Sequence, residues 1–336
     1  MKHASVANPI RRWIGRCGVA LAAALALAPD LSQAQQAWPG AKPIRFVVPF
    51  AAGSATDQVA RAFGQKVGEA LGATVVVENR PGANGMLGAA EVAKAAPDGY
   101  TILIGTNSTN AALKSLMKTL PYDQDTAFAP VAYLGQVPLI VAVNNEVPVR
   151  TLKDLVDLAK SKPPGHITFA SASTSQLVSS EMLASMAGIK MTNIPFKSGP
   201  DAMTNLIGGQ VMMFTADFAV TVPQVRAGKI RGLAVTSMKR SAAVPDLPTV
   251  NEALGLKDYE LIAYFAAFAP AGTPAEVVTR LNAAFNAGAA ARDVQERFAN
   301  IGFITEPGPP SALAERTRVE TAKWARVIRE AKIEIQ

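Results

Sequence analysis

Apolar residues follow two alternating rhythms along most of the chain. Short β-branched runs, "IRFVVPF" (44–50), "TVVVEN" (74–79) and "YTILIGT" (100–106), are each followed by a stretch with a period near four. After the first run, Val59, Phe63, Val67 and Leu71 recur every four residues and share one face of a helix. "GMLGAAEVAKAA" (85–96) and "NAALKSLM" (110–117) predict the next two helices. A second series repeats the architecture without repeating the sequence. Its helices are predicted at 151–161, 176–186, 201–209 and 222–228, and its strands at 166–171, 193–196, 211–217 and 231–237. Two β-rich stretches are longer, "APVAYLGQVPLIVAVN" (129–144) and "YELIAYFAAFAP" (259–270). Helices are expected over 274–290 and over most of 310–335. Such alternation specifies an α/β fold with mostly parallel strands.

The first residues follow a different rule. Lys2, Arg11, Arg12 and Arg16 precede the apolar run "CGVALAAALALA" (17–28), which is shorter than the ~20 residues that span a bilayer. "SQA" then offers a small-x-small cleavage site ending at Ala34, with Ala37 as a second option. The segment 1–34 is therefore expected to be a removed export signal; a buried N-terminal helix is the alternative. Removal would take the only cysteine, Cys17, and lower the net charge from +7 to +4 by removing four bases and Asp30.

With 336 residues, 49% hydrophobic and 18% charged, the chain can bury a large core without disulfides. Its basic residues are scattered and form no dense run interleaved with aromatics, which argues against nucleic-acid binding. Beyond the leader the only histidine is His166, so a nucleophile–histidine pair would have to use it and a zinc site lacks ligands. "RPGANGMLG" (80–88) spaces its glycines G-x-x-G-x-x-G, unlike a dinucleotide loop. It reads better as a tight turn with close helix–strand packing. No metal and no cofactor are expected.

What the strand ends share is more informative. Gly53, Ser54 and Thr56 follow the first strand; Thr106, Asn107, Ser108 and Thr109 the third; Ser171, Ser173, Thr174 and Ser175 the strand at 166–171; Lys197, Ser198 and Gly199 the strand at 193–196. In an open α/β sheet such loops converge on the ligand crevice, and helices starting there offer free N–H groups to an anion. The same residue types are also preferred helix caps, so both roles stay open at each junction.

"PFAAGSATDQVAR", "VENRPGANGMLGAAEVAKAAPDGYT", "GTNSTNAA", "LPYDQDTAFAPVA", "IPFKSGPDAMTNLIGGQV", "LPTVNEA" and "APAGTP" resemble the substrate-binding proteins of tripartite tricarboxylate transporters, the Bug family, from about Trp38 onward. The resemblance implies a periplasmic receptor with the two-domain type II binding-protein fold and a ligand cleft between the domains. The domains would be 38–138 with 264–336, and 139–263, joined by crossing strands within 134–143 and 259–270. A small carboxylate (a di- or tricarboxylate, an amino acid or an aromatic acid) would be captured by domain closure. The monomeric receptor would then pass it unchanged to the membrane components of the transporter.

Carried over position by position, the ligand contacts would be Phe50, Ala52, Gly53, Ser54 and Thr56 in the first loop, with Asp57 capping the helix, and Thr106, Asn107 and Ser108 in the second. Ser171, Ser173 and Thr174 would supply the third, where the chain departs from the family's glycine-rich pattern. Lys197, Ser198 and Asp217 complete the set, Asp217 facing a ligand amine or hydroxyl. Ser54 stands where the family usually has a second glycine. Phe50, Phe196 and Phe218 make an aromatic acid worth testing. A sensor presenting its ligand to a membrane kinase and a serine-dependent hydrolase are the competing functions.

Overall fold

A computed structural model describes residue 1 and residues 38–335. Cys17 and, apart from residue 1, the expected export signal lie outside the described residues. Met1–Gly40 and Ala41–Gln336 are separate units; the described part of the first, residues 1 and 38–40, carries no helix or strand.

The second unit holds nine strands: β1 (Ile44–Val48), β2 (Val75–Asn79), β3 (Thr101–Thr106), β4 (Phe128–Asn144), β5 (Ile167–Ser171), β6 (Met191–Pro195), β7 (Met213–Asp217), β8 (Ile230–Val235) and β9 (Ile262–Pro270). Between and after them run helices α1 (Ala55–Leu71), α2 (Met86–Ala93), α3 (Leu113–Leu116), α4 (Leu152–Ser161), α5 (Thr174–Ala187), α6 (Gly199–Ile207), α7 (Phe218–Arg226), α8 (Val250–Leu254), α9 (Ala275–Ala290), α10 (Arg292–Ala299) and α11 (Pro310–Glu330). The alternation read from the sequence is thus present. Helix α10 was not anticipated: only Ala291 separates it from α9, and it buries only Val294 and Phe298.

Strand order is β2-β1-β3-β9-β4-β7-β5-β6, with β8 also on β4. Two triplets are parallel, β2-β1-β3 and β7-β5-β6. The expectation of mostly parallel strands fails at the two long apolar stretches, where β4 and β9 run antiparallel to their neighbours. The 17-residue β4 joins the halves: its first part, through Pro138, pairs with β9, and from Leu139 onward it pairs with β7 and β8. Proline at the changeover offers no N–H to either ladder. The return crossing is tied to β4 by Thr236, which is fully buried. Its Oγ1 accepts from Leu139 N at 2.8 Å and donates to Leu261 O at 2.6 Å.

Helices α9 and α10 pack beside α1 on the first half. Phe285 stacks on Phe46 at 5.4 Å between ring centroids and lies 6.2 Å from Phe63, while Phe298 meets Phe63 at 6.2 Å and Phe303 at 4.6 Å. Phe46, Phe63, Phe285 and Phe298 are buried, and each contributes on the order of 1.5–3 kcal/mol of transfer free energy. The C-terminal segment is thereby fixed to the sheet formed by the N-terminal strands, distant from it in sequence.

The glycines of "RPGANGMLG" serve this packing. Gly85 has φ +91°, and a Cβ there would lie 2.7 Å from Thr109 Cγ2; at Gly88 it would lie 2.8 Å from Pro49 Cα. Close approach, rather than phosphate binding, accounts for both.

Candidate functional site

Five strand-to-helix junctions open onto one cavity. From the first half come the β1–α1 and β3–α3 loops; from the second half come the starts of α5, α6 and α7. Their convergence follows from the two parallel triplets, whose carboxyl ends face each other across the β4 crossing.

At the first junction, Ser54 is the cap of α1 and its Oγ accepts from Asp57 N at 3.3 Å. Asp57 then folds back: its carboxylate accepts from Gly53 N at 3.0 Å, from Arg61 Nε at 3.1 Å and from Asn79 Nδ2 at 3.0 Å. The other proton of the Asn79 amide goes to Phe50 O at 3.0 Å. Burial opposes ionisation of Asp57, but Arg61, the Gly53 amide and Asn79 outweigh it and hold the carboxyl below its ordinary range. Gly53, at φ +79°, makes the turn that lets this happen.

Two further helices are capped the same way. Ser173 Oγ accepts from Gln176 N at 3.5 Å and Ser198 Oγ accepts from Asp201 N at 3.1 Å. Ser54, Ser173 and Ser198 all line the cavity. A cap of this kind uses an oxygen lone pair and leaves the hydroxyl proton available. Capping and ligand contact, alternatives at the sequence level, are therefore compatible in one side chain.

Thr56 and Thr106 add hydroxyls to the lining. Thr106 is 5% exposed and its Oγ1 has no hydrogen-bond partner among the described residues. The first-turn amides of α1, at Ala55 and Thr56, have no partner within the helix. None of the residues lining the cavity is Lys, Arg or His.

One acceptor stands among these donors. Asp217 closes β7 and caps α7 without a side-chain cap bond. Its Oδ2 accepts from Gln176 Nε2 at 3.3 Å, and Gln176 is oriented by its own Oε1, which takes Ala172 N–H at 2.8 Å. Asp217 is half-buried and lines the cavity. Burial pushes its pKa up, and the Gln176 amide opposes this only in part.

Of the fourteen residues expected at the site, the cavity brings together Phe50, Ser54, Thr56, Thr106, Asn107, Ser108, Ser173, Ser198 and Asp217. Five do not line it. Ala52 and Gly53 are exposed, and a Cβ at Gly53 would lie 3.6 Å from Pro200 Cγ of α6. Ser171 turns sideways to donate to Asn193 Oδ1 on β6 at 2.7 Å. Thr174 is fully buried, and Lys197 is exposed. Of the three phenylalanines considered for an aromatic ligand only Phe50 lines the cavity; Phe218 is fully buried. His166 is exposed at the entrance to β5, a strand length (roughly 16 Å) from the end that meets the cavity.

The sequence reading missed Ala55, Ala172, Gln176, Val220, Ala263 and Phe265, which line the cavity, and named Ser175 only as part of a hydroxyl-rich strand end, not as a contact. A signal existed for Gln176: Ser173-x-x-Gln176 has the spacing of a capping box, in which the fourth side chain turns back toward the helix start. Ala263 and Phe265 sit on β9, inside the stretch 259–270 expected to hold a crossing strand, but they were not included among the expected contacts.

Comparison with known proteins agrees with this geometry. Residues 59–333 match the family described as "Tripartite tricarboxylate transporter family receptor". A Pseudomonas sp. (strain P51) protein, the UPF0065 protein in the tcbD-tcbE intergenic region, is 37% identical over 95% of this chain and 96% of its own. The periplasmic binding protein BugD superposes with a TM-score of 0.83 at 35% identity, covering 88% of this chain and 99% of BugD. R. palustris Rpa4515, solved with adipate, gives 0.84 at 33% identity over 88% and 99%. The two halves are thus the two domains of a periplasmic binding-protein fold with the cavity between them, and the chain belongs to the tripartite tricarboxylate transporter family of receptors.

Proposed function

We propose that this protein captures a small carboxylate in the cleft and delivers it, chemically unchanged, to the membrane components of a tripartite tricarboxylate-type transporter. The observation that carries the reading is the convergence of Ser54, Ser173 and Ser198 on one cavity that no basic side chain lines. Each hydroxyl has a proton to give, the helix starts behind them favour negative charge, and a charge-assisted bond contributes on the order of 1.5–3 kcal/mol. Adipate in Rpa4515 supports a dicarboxylate. Asp217 adds a selective element: a ligand carrying a hydroxyl or ammonium group satisfies it, whereas a purely acceptor-lined ligand leaves two like charges facing each other. The domains would divide near Pro138 and Ala263, the protein would act as a monomer in the periplasm, and cleavage would fall near Ala34.

The test is native mass spectrometry of protein purified without added ligand, followed by titration with carboxylates and their amides. A bound species carrying at least one carboxylate, released unchanged, is expected. A neutral or cationic occupant, or a reaction product, overturns the proposal.

A further inference from the structure

Ser175, the second residue of α5, belongs to the second half, whereas Asn107 and Ser108 follow β3 in the first. The three meet through buried hydrogen bonds. Asn107 Nδ2 donates to Ile262 O at 2.9 Å, which fixes the amide and turns Oδ1 toward Ser175. A carboxamide oxygen has no proton, so the Ser175 hydroxyl donates to it, at 3.1 Å. That proton is then spent, and in the 2.9 Å contact between the two serine oxygens Ser108 must be the donor. Ser175 N–H, a first-turn amide with no partner inside its helix, donates to Ser108 Oγ at 3.2 Å. The protons therefore run one way, from Ser108 to Ser175 to Asn107, and on to the carbonyl at the start of the crossing strand β9.

Unlike the three capping serines, Ser108 and Ser175 have no hydroxyl proton left for a carboxylate. We infer that Ser175 is a positioning residue: with Ser108 and Asn107 it forms a latch between the two domains that sets the fraction of closed protein and acts on affinity through that fraction. Every bond in the latch joins protein groups, so it operates at any ligand occupancy. An apparent dissociation constant varies inversely with the competent fraction. The effect on affinity rests on the capture reading above; the effect on closure does not.

The experiment combines small-angle scattering of ligand-free protein with calorimetric titration of adipate, for wild type, Ser175→Ala and, as an independent break of the same chain, Ser108→Ala. Both variants should show a larger radius of gyration without ligand, and their adipate affinity should fall by about tenfold, as expected for losing two buried neutral hydrogen bonds. An unchanged radius in both variants overturns the latch, and if affinity still falls it makes Ser175 a direct ligand contact. If the radius grows but the wild type binds neither adipate nor any other carboxylate, the latch stands and the capture reading falls.

Discussion

Asp57 and Asp217 lie at the starts of helices that line the same cavity, yet their surroundings drive them in opposite directions. Asp57 is enclosed by a main-chain amide, an arginine and an asparagine, and its pKa falls below the ordinary carboxylate value. Asp217 has one amide partner, from Gln176, and its pKa rises. The first carboxylate is consumed in closing the β1–α1 loop and steadying Ser54; the second is left with acceptor capacity toward the cavity. A charged residue at a binding site belongs to the scaffold or to the ligand according to how many of its lone pairs the protein already fills.

That contrast can be broken from the Asp57 side with the largest effect. Asp57→Asn removes the ion pair with Arg61 and weakens the Gly53 bond, and should cost about 2 kcal/mol of stability at neutral pH, measured by denaturant unfolding. Because the folded-state pKa is depressed, the Asp57 contribution is present above the ordinary value of 3.8 and lost as pH falls through the lower folded value. The deficit of the variant should therefore disappear in acid. A deficit independent of pH would show that charge is not its source.

Caps give the next largest effect and separate helix support from ligand contact. Ser198→Ala should lose about 1 kcal/mol of stability and also about tenfold in carboxylate affinity. Thr151, which caps α4 in a capping box with Asp154 and does not line the cavity, provides the comparison. Thr151→Ala should show a similar stability loss with affinity unchanged; equal affinity losses in both would mean that caps act only through the fold.

The smallest effect lies at Asp217. Its raised folded-state pKa means that its contribution to stability is full below 3.8 and declines as pH rises through the folded value. Asp217→Asn should accordingly be more stable than wild type at neutral pH, by up to about 1 kcal/mol, with no difference well below pH 3.8. Affinity for hydroxy or amino acids should fall, while affinity for plain dicarboxylates should hold or rise. Loss of stability at neutral pH would mean that the carboxylate has a partner in the fold that its surroundings do not show.

The period-four face of α1 and the β-branched runs made most elements legible, since both patterns report burial of one face. Helix α10 was not, because only Val294 and Phe298 mark its buried side. The hydroxyl-rich junctions were legible as a set because each is a local strand-to-helix event. What each hydroxyl does was not, because it depends on contacts distant in sequence: Ser171 is turned aside by Asn193, and Ser175 is taken up by Asn107 and Ser108. The crossing strands were expected within 134–143 and 259–270 from the resemblance, but the antiparallel direction of β4 and β9 was not. Two long apolar runs specify burial but not direction.

Binding of adipate, and then of its diamide, to wild type and to the combined Ser54→Ala, Ser173→Ala and Ser198→Ala variant tests the central claim most directly. Calorimetry should show carboxylate binding in the wild type, no binding of the neutral diamide, and a loss of at least a hundredfold in affinity in a triple variant that remains folded. Equal binding of diamide and dicarboxylate, or undiminished affinity in the folded triple variant, would contradict it.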